Sequence, residues 1–504
     1  MTAIHPDEPR DVLPRWRDFG VAVESGELDP VPSHNPRLAR NPTQLLQESA
    51  DAFEGNPGLY TAGDLISGAF VIADQSPVVI EAARYVLESE EAGTVRSIAV
   101  QILGDYPVAA RVPAPEPFEW ERTVSRVRKL KSILSDEPRN AVRWTDLSLA
   151  HLKLGAVDAA RRDIQNALSL SPYSRYVLRA AVRFHILLDD PQTAHEILMR
   201  DTSVLEDPWI LAAELATTEL LGVSPTSIRG KRRLVDSGSH APWHVSELAS
   251  QLATTELRAG NLKQAKRTMR KALVDPTENA VAQAEWAASQ GTESPSEELL
   301  RRPNSFEARA LSSYQRGDLY SALDAADRWL ADQPFDPSAA MFVSYLAAIG
   351  VMDYVSSENA ARQGLIANPA NGSIRNNLVF ALASQGKVDE ASREFALTPL
   401  PPAGSREQGT RVATNGLVAF RRGDPDSGRA SYSEAKDILL RAHEPDVAAL
   451  ATLMWAREEI NASTPESEGI VRQAVDLAKK SDVGDVKLWL KRVSHAAALA
   501  GITL

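Results

Sequence analysis

Apolar residues recur every three or four positions along most of the chain, which is the spacing of one face of an α-helix. The clearest case is residues 140–172, where Gly155 separates two amphipathic segments and Pro172 ends the second. The residues that share a face are Trp144, Leu147, Ser148 and His151 in the first segment and Ala160, Ile164 and Ala167 in the second. This pattern predicts two closely packed helices joined by a tight turn.

The same helix–turn–helix pattern recurs along the chain. The letters LATTEL occur at residues 215–220 and again 37 positions later at residues 252–257, and each copy leads into a turn and a further helical stretch. The residues predicted to form the turns are Gly155, Asp189, Gly222, Gly260, Gly317, Gly350, Gly386 and Gly423. Their spacings are 34, 33, 38, 57, 33, 36 and 37 residues, and all but one lie near a single period. Such a period is typical of a helical-repeat solenoid.

In its order of large, small, turn, small and proline positions, the unit at 140–172 resembles a tetratricopeptide repeat (TPR). The resemblance covers roughly residues 120–440 and is weaker at 175–207, 208–241 and 280–302. It implies an all-α fold, a right-handed helical-repeat solenoid (TPR-like superhelix) with an N-terminal proline-rich arm and helical segment. It also implies that the first helix of each unit lines a concave groove.

Proline clusters and the loss of the repeat pattern divide the chain into segments. The predicted segments are an extended proline-rich arm at 1–42, an N-terminal helical segment at 43–106, a proline-rich linker at 107–118, the solenoid at 119–440 with an irregular joint near 280–302, and C-terminal helices with a cap at 441–504. The segment at 43–106 consists either of degenerate repeats or of a separate domain.

The amino-acid composition excludes several classes of function. Of the 504 residues 43% are hydrophobic, so a large array of helices can bury a core. Cysteine is absent, which excludes disulfides, thiolate metal sites and cysteine nucleophiles. The net charge of −12 argues against binding nucleic acid or an anionic membrane over the whole surface. Because no secretory signal and no run of about 18 apolar residues is present, we expect a cytoplasmic protein.

The sequence contains no phosphate-binding glycine loop, zinc motif or nucleophile elbow. His240 and His244 stand four residues apart, but Pro242 lies between them and Glu247 is the only acid near a metal-ligand spacing. We therefore expect neither an enzyme nor a bound metal or cofactor. The predicted function is a scaffold or adaptor subunit that holds a protein partner or peptide segment in the groove or by the arm.

A stripe of three arginines is the first candidate for contact with a partner. Arg175, Arg179 and Arg183 stand at i, i+4 and i+8 on one helix face, where planar guanidinium groups can bind carboxylates or phosphates. The alternative is that acids of neighbouring units, such as Asp146, pair with the stripe.

Two further features are candidates for the same role. By the TPR resemblance Asn376 faces the groove, where its amide is suited to a partner's backbone, and local polar packing is the alternative. Trp16 and Phe19 either anchor the arm on the solenoid or on a partner, or they belong to a mobile tail.

Basic residues on predicted second helices support an alternative function, a regulatory subunit that contacts nucleic acid beside an effector enzyme such as a nuclease. These residues are Arg229, Lys231, Arg232, Arg233, Lys263, Lys266, Arg267, Arg270 and Lys271. A solubilising face is the competing interpretation, because stacking aromatic residues are missing and second helices usually lie on the convex side.

Overall fold

A computed structural model describes residues 10–18, 42–72, 74, 76–89, 95–103, 120–200 and 206–502. Its described residues are helical or irregular, and none of them lies in a strand. The chain divides into two compact units, with the described residues from 10 to 309 in the first unit and those from 310 to 502 in the second. In these ranges every helix is too short or too polar to span a bilayer.

The first unit contains α1 to α15 and the start of α16, and the second contains the remaining helices and one π-helical turn. The α-helices are α1 Pro42–Gly55, α2 Leu59–Ile72, α3 Pro77–Glu88, α4 Arg96–Leu103, α5 Trp120–Asp136, α6 Ala141–Lys153, α7 Val157–Leu170, α8 Arg175–Leu187, α9 Pro191–Met199, α10 Pro208–Leu221, α11 Ile228–Ser237, α12 Pro242–Arg258, α13 Leu262–Ala272, α14 Glu278–Ser289, α15 Glu297–Leu300, α16 Phe306–Gln315, α17 Leu319–Asp332, α18 Pro337–Tyr345, α19 Tyr354–Ala367, α20 Gly372–Ser384, α21 Val388–Leu397, α22 Arg406–Arg421, α23 Pro425–Arg441, α24 Pro445–Ala462, α25 Ser467–Ala478 and α26 Gly484–Leu499. The π-helical turn is Leu346–Gly350.

Consecutive helices pack as pairs, and the pairs repeat along each unit. In the first unit α6 packs on α7, α8 on α9 and α12 on α13, while the first helices α6, α8, α10, α12 and α14 also pack on one another in order. In the second unit α20 packs on α21, α22 on α23 and α24 on α25, and the first helices α18, α20, α22 and α24 form the corresponding series. The predicted all-α, TPR-like helical-repeat fold is therefore confirmed.

The turns between paired helices explain the predicted glycine period. Gly155, Gly222, Gly260, Gly317, Gly386 and Gly423 all have a left-handed backbone with φ between 65° and 83°, and Asp189 has φ 57°. A residue after a helix often adopts this conformation, and glycine does so without a steric cost. The exception is Gly350, which ends the π-helical turn, because the left-handed residue of that connection is Met352 with φ 60°.

The duplicated LATTEL letters lie on adjacent first helices. Leu215 on α10 and Leu252 on α12 belong to one buried cluster. On the polar side of the same repeat, Thr255 Oγ1 donates a hydrogen bond to Glu219 Oε1 at 2.8 Å. The two copies therefore lie side by side, with equivalent leucines in one core cluster and a hydrogen bond between polar residues at neighbouring positions of the repeat.

In the second unit, α26 folds back onto α24 and the π-helical turn. Trp489 Nε1 donates to the Ile349 carbonyl oxygen at 2.9 Å, and Arg492 donates to the Ile349 and Gly350 carbonyl oxygens at 2.8 Å and 2.6 Å. A helix end leaves backbone carbonyls without an intrahelical partner. The C-terminal helix supplies donors for these carbonyls.

Candidate partner-binding surface

Residues 10–18, which we call the arm segment, form neither helix nor strand and lie against helices of the first unit, with residues 12 and 14–17 buried and the other four partly buried. Their contacts come from α5, α8, α12, α14 and α16, which are mostly first helices of successive pairs. We call this set the arm-binding surface, and its residues are Arg126, Tyr176, Phe184, Gln251, Arg258, Glu278, Asn279, Gln283 and Glu307. A single irregular segment therefore contacts several repeats at once.

Side-chain amides hold the middle of the arm segment by its main chain. Gln251 Oε1 accepts a hydrogen bond from the Val12 backbone N–H at 2.7 Å, and Asn279 Nδ2 donates to the Leu13 carbonyl oxygen at 2.8 Å. An amide side chain carries both a donor and an acceptor, so it can pair with the backbone of any residue. These two contacts recognise a polypeptide chain irrespective of its side chains.

The ends of the arm segment are held in the same way. Gln283 Nε2 donates to the Arg10 carbonyl oxygen at 3.0 Å. The Tyr176 hydroxyl lies 2.8 Å from the Arg17 carbonyl oxygen and 2.9 Å from Asp146 Oδ1, so its single proton is shared between two acceptors. Main-chain recognition therefore extends over eight residues, from position 10 to position 17.

Acidic residues of the surface pair with arginines of the arm segment. Glu307 forms ion pairs with Arg10 and Arg15, and Glu278 Oε1 lies 2.6 Å from Arg17 Nη1. Arg15 and Arg17 are 8% and 3% exposed, so both guanidinium groups have left water. A buried ion pair gives little net stability, but losing one partner is costly, so such pairs select strongly for charge.

Ion pairs in which the surface carries the arginine and the arm segment the aspartate fix the register of the arm segment. Arg258 binds Asp11 through two parallel hydrogen bonds, Nη1 to Oδ1 at 2.8 Å and Nη2 to Oδ2 at 3.0 Å. Arg126 Nε and Nη2 lie 3.0 Å and 2.5 Å from Asp18 Oδ2. A shift of the segment by one residue would break both ion pairs, because Arg258 and Arg126 would no longer lie opposite aspartates.

Trp16 provides the apolar anchor of the arm segment. It is 1% exposed and lies edge-on to Phe184, with ring centroids 6.4 Å apart. A tryptophan of this burial removes 150–250 Å² from water, which is about 4–6 kcal/mol of hydrophobic stabilisation before ordering costs. The sequence suggested Trp16 as an anchor on the solenoid or on a partner, and the structure places it on the solenoid. Phe19 lies outside the described residues.

The predicted arginine stripe of Arg175, Arg179 and Arg183 is buried on α8. Arg175 Nη2 lies 2.6 Å from Asp207 Oδ2. Arg179 Nη1 and Nη2 lie 3.1 Å and 3.4 Å from the two carboxylate oxygens of Glu247, and its guanidinium stacks over Trp209 at 4.4 Å. Arg175 and Arg179 thus have acidic partners, at the N-cap of α10 and on α12.

The stripe is connected to the arm segment through two polar side chains. The Asn279 amide nitrogen that donates to the Leu13 carbonyl also donates to Glu247 Oε1 at 3.2 Å. Since Arg179 also binds both carboxylate oxygens of Glu247, the orientation of the Asn279 amide depends on the buried ion pair. Arg179 is therefore a positioning residue for the arm-binding surface.

The basic residues of α11 and α13 are divided between ion pairs and solvent. Lys231 Nζ is buried 2.7 Å from Glu214 Oε2, and Arg232, Arg270 and Lys271 pair with Glu256, Glu293 and Asp236. The side chains of Arg229, Arg233, Lys263 and Arg267 are exposed, and Lys266 is half-buried. In the described part of the chain none of these basic side chains lies over an aromatic ring, so they offer a basic surface without a stacking platform.

Asn376 is buried on α20 in the second unit. It lines a pocket of about 280 Å³ together with Pro399, Leu400 and Arg411. In the described part of the chain neither its amide nitrogen nor its amide oxygen has a hydrogen-bond partner. The Arg411 guanidinium lies over the Phe395 ring at 4.2 Å, and burial lowers the pKa of Arg411. The pocket therefore presents one amide donor and one amide acceptor.

The histidine pair has no metal-site geometry in the described structure. His244 is buried on α12, where its Nδ1 accepts a hydrogen bond from Trp209 Nε1 at 3.1 Å. Among the described residues no group of three or more histidine, aspartate and glutamate side chains is placed to hold a metal ion.

Sequence reasoning missed most of the arm-binding surface. Gln251, Asn279, Gln283, Glu278 and Glu307 contact the arm segment, but none of them stands in a recognisable motif. The one available signal was the presence of large polar residues at positions of the first helices that the repeat pattern predicts to be inward-facing. Such residues are rarely buried without partners, so they indicate an occupant.

No protein-family model and no curated relative matches the sequence. Among solved structures, the chain is similar to yeast Tom70, with 14% identity, a TM-score of 0.28, and 76% of this chain and 97% of that chain covered. It is also similar to a monomeric mutant of IFIT1 with m7Gppp-AAAA, with 12% identity, a TM-score of 0.31, and 94% and 99% covered. The human IFIT1 dimer with PPP-AAAA gives 13% identity, a TM-score of 0.31, and 90% and 100% covered. Because the identities are at most 14% and the TM-scores at most 0.31, these similarities say nothing about the function of this chain.

Proposed function

We propose that this chain is a non-catalytic scaffold or adaptor subunit that binds a polypeptide segment of a partner protein on the arm-binding surface. The observation that carries the proposal is that nine residues of the chain itself lie there, held by their main chain as well as by their side chains. A surface that binds one irregular segment in this way has the chemistry to bind another.

The construction of the surface supports this proposal. Its residues lie on helices that are fixed by packing against their neighbours, so little conformational entropy is lost when a segment binds. Amide contacts supply affinity for a main chain, while Glu278, Glu307 and the site of Trp16 supply selectivity for side chains.

The other predicted contact residues have different parts in the proposal. Arg175, Arg179 and Arg183 support the surface from within α8, and Arg179 acts through Glu247 and Asn279. Asn376 is a second contact point, because its unpartnered amide in the second unit is suited to a partner's backbone.

The alternative function is nucleic-acid contact through α11 and α13. The exposed side chains of Arg229, Arg233, Lys263 and Arg267 favour it. The ion pairs made by Arg232, Arg270 and Lys271 oppose it, because those cations already have acidic partners. Binding of this kind would weaken steeply with salt.

Site-specific photo-crosslinking tests the proposal. A photoreactive benzoylphenylalanine replaces Arg258 at the edge of the arm-binding surface, and a matched control carries it at the exposed position of Arg267 on α13. We expect a protein partner to crosslink from position 258 in native lysate, before and after nuclease treatment. Crosslinks from position 267 alone, lost on nuclease treatment, would contradict the proposal and support the nucleic-acid function.

A further inference from the structure

We infer that the arm segment is an intramolecular copy of the partner's recognition sequence. The partner segment on the arm-binding surface is therefore a basic-aromatic peptide with the order arginine, tryptophan, arginine, and binding requires displacement of the arm segment. This inference rests on the proposed function and deepens it by naming the chemistry of the partner.

The first argument is charge complementarity. The carboxylates of Glu278 and Glu307 on the surface face the arm segment. Glu307 pairs with Arg10 and Arg15, and Glu278 pairs with Arg17. A peptide without cations at these positions would leave the buried Glu307 carboxylate and the partly buried Glu278 carboxylate without a counter-charge, and a stranded buried charge is costly. A partner segment must therefore carry guanidinium groups at the positions of Arg15 and Arg17.

The second argument is the spacing of the anchors. Arg15, Trp16 and Arg17 are consecutive, yet their side chains reach three different places, namely Glu307, Phe184 and Glu278. Consecutive side chains of a non-helical chain point in different directions, so one tripeptide can fill all three. Tryptophan and arginine are also the residues that most often dominate binding energy at interfaces.

The third argument concerns the competition between the arm segment and a partner. A tethered ligand has an effective concentration on the order of 1 mM at its own site. A free peptide with the same contacts must therefore reach roughly that concentration before it displaces the arm segment. A partner gains access when it binds more tightly than the arm segment or when the arm segment is weakened.

This competition decides which substitution is informative. A change in Gln251 or Asn279 weakens the arm segment and a free peptide alike, so the two effects cancel in the unaltered chain. A change in the arm segment weakens only the intramolecular ligand. The experiment therefore uses the full chain with Trp16→Ala and Arg17→Ala, here called the opened chain.

The test measures fluorescence anisotropy of a labelled peptide with the sequence of residues 10–18, RDVLPRWRD. We expect the opened chain to bind it at least tenfold more tightly than the unaltered chain. The same peptide with Trp16→Ala and Arg17→Ala, and a scrambled peptide of the same composition, should each bind the opened chain at least tenfold more weakly. Equal binding of all three peptides, or equal binding by the opened and unaltered chains, would overturn the inference.

A charge exchange guards against a merely structural effect. In the opened chain Glu278→Arg should weaken the unaltered peptide at least fivefold, and a peptide with Arg17→Glu should recover that loss. If the charge preference at peptide position 17 does not reverse, Glu278 does not select for the residue at that position and the inference is wrong. Circular dichroism verifies that the opened chain is folded, and the single variant Arg17→Ala replaces it if it is not.

The results separate this inference from the proposed function. A partner that crosslinks from position 258 while RDVLPRWRD binds no better than its scrambled form leaves the function standing and removes the inference. If neither a partner nor the peptide reaches the surface of the opened chain, both are wrong.

Discussion

The buried ion pair between Arg179 and Glu247 gives the most direct test of the surface's construction. Replacing Arg179 with methionine keeps most of the side-chain volume but leaves the Glu247 carboxylate buried, at 2% exposure, with Asn279 as its remaining hydrogen-bond donor among the described residues. The lost hydrogen bonds are 3.1 Å and 3.4 Å long. We therefore expect Arg179→Met to destabilise the first unit strongly.

The magnitude follows from the geometry. Two charges about 4 Å apart at an effective dielectric constant of about 20 attract one another by about 4 kcal/mol. Stranding one partner of a buried pair costs about 3–5 kcal/mol in measured cases, which agrees with that figure. At roughly 2 °C of melting temperature per kcal/mol for a unit of this size, the expected drop is about 6–10 °C.

The control is the double variant Arg179→Met with Glu247→Gln. Glutamine removes the stranded charge and keeps an oxygen that accepts from Asn279, so the double variant should recover at least half of the lost stability. Melting is followed by differential scanning fluorimetry, and hydrogen exchange in α8 and α12 localises the change. A single variant that melts within about 2 °C of the unaltered chain, or a double variant as unstable as the single one, would refute the reasoning.

Two further predictions concern packing and pH. Gly416→Ala should destabilise the second unit by about 1–3 kcal/mol, since the new Cβ would lie 2.6 Å from Tyr432 Cδ2. The control is Gly469→Ala, where no atom lies within 4 Å of the new Cβ, so this change should stabilise the unit slightly. Urea unfolding measures both effects. Burial, partly opposed by Asp190, lowers the pKa of His185 below its usual 6.5. The unfolded chain therefore takes up that proton first, and the melting temperature of the first unit should fall as pH drops below 6.5. His185→Gln should flatten this dependence, and the same change at the exposed His495 should not; equal slopes in both variants would contradict the assignment.

The repeat could be predicted from the sequence because each turn between paired helices needs a residue with a left-handed backbone, and these turns recur at regular intervals. Gly155, Gly222 and Gly386 have that conformation, and the sequence placed them correctly. Gly350 was placed in a turn, and this was wrong by two residues, since a π-helical turn carries the chain on to Met352 before the backbone reverses. A π-helical turn has no sequence signature as clear as a glycine, so the spacing alone could not reveal it.

The contacts of the surface were beyond sequence reasoning for a different reason. Gln251 and Asn279 contact residues of the arm segment that lie 239 and 266 positions away. The repeat predicts which residues face inward, but it contains no information about which distant segment they meet. The partners of the arginine stripe show the same limit, because Asp207 and Glu247 were not distinguishable from Asp146 by spacing.

The polar groups of the surface also determine what kind of segment can occupy it. Gln251, Asn279 and Glu307 are buried by the present packing, and each uses the arm segment as a hydrogen-bond or ion-pair partner. A buried polar group that loses its partner costs about 1–3 kcal/mol unless water replaces it, and a carboxylate costs more. When the arm segment leaves, water reaches these groups, so an incoming segment has to offer equivalent partners to compensate for displacing that water. On the binding mode that we propose, one segment is therefore exchanged for another, and the incoming arginines form ion pairs with the carboxylates that the arm segment has left.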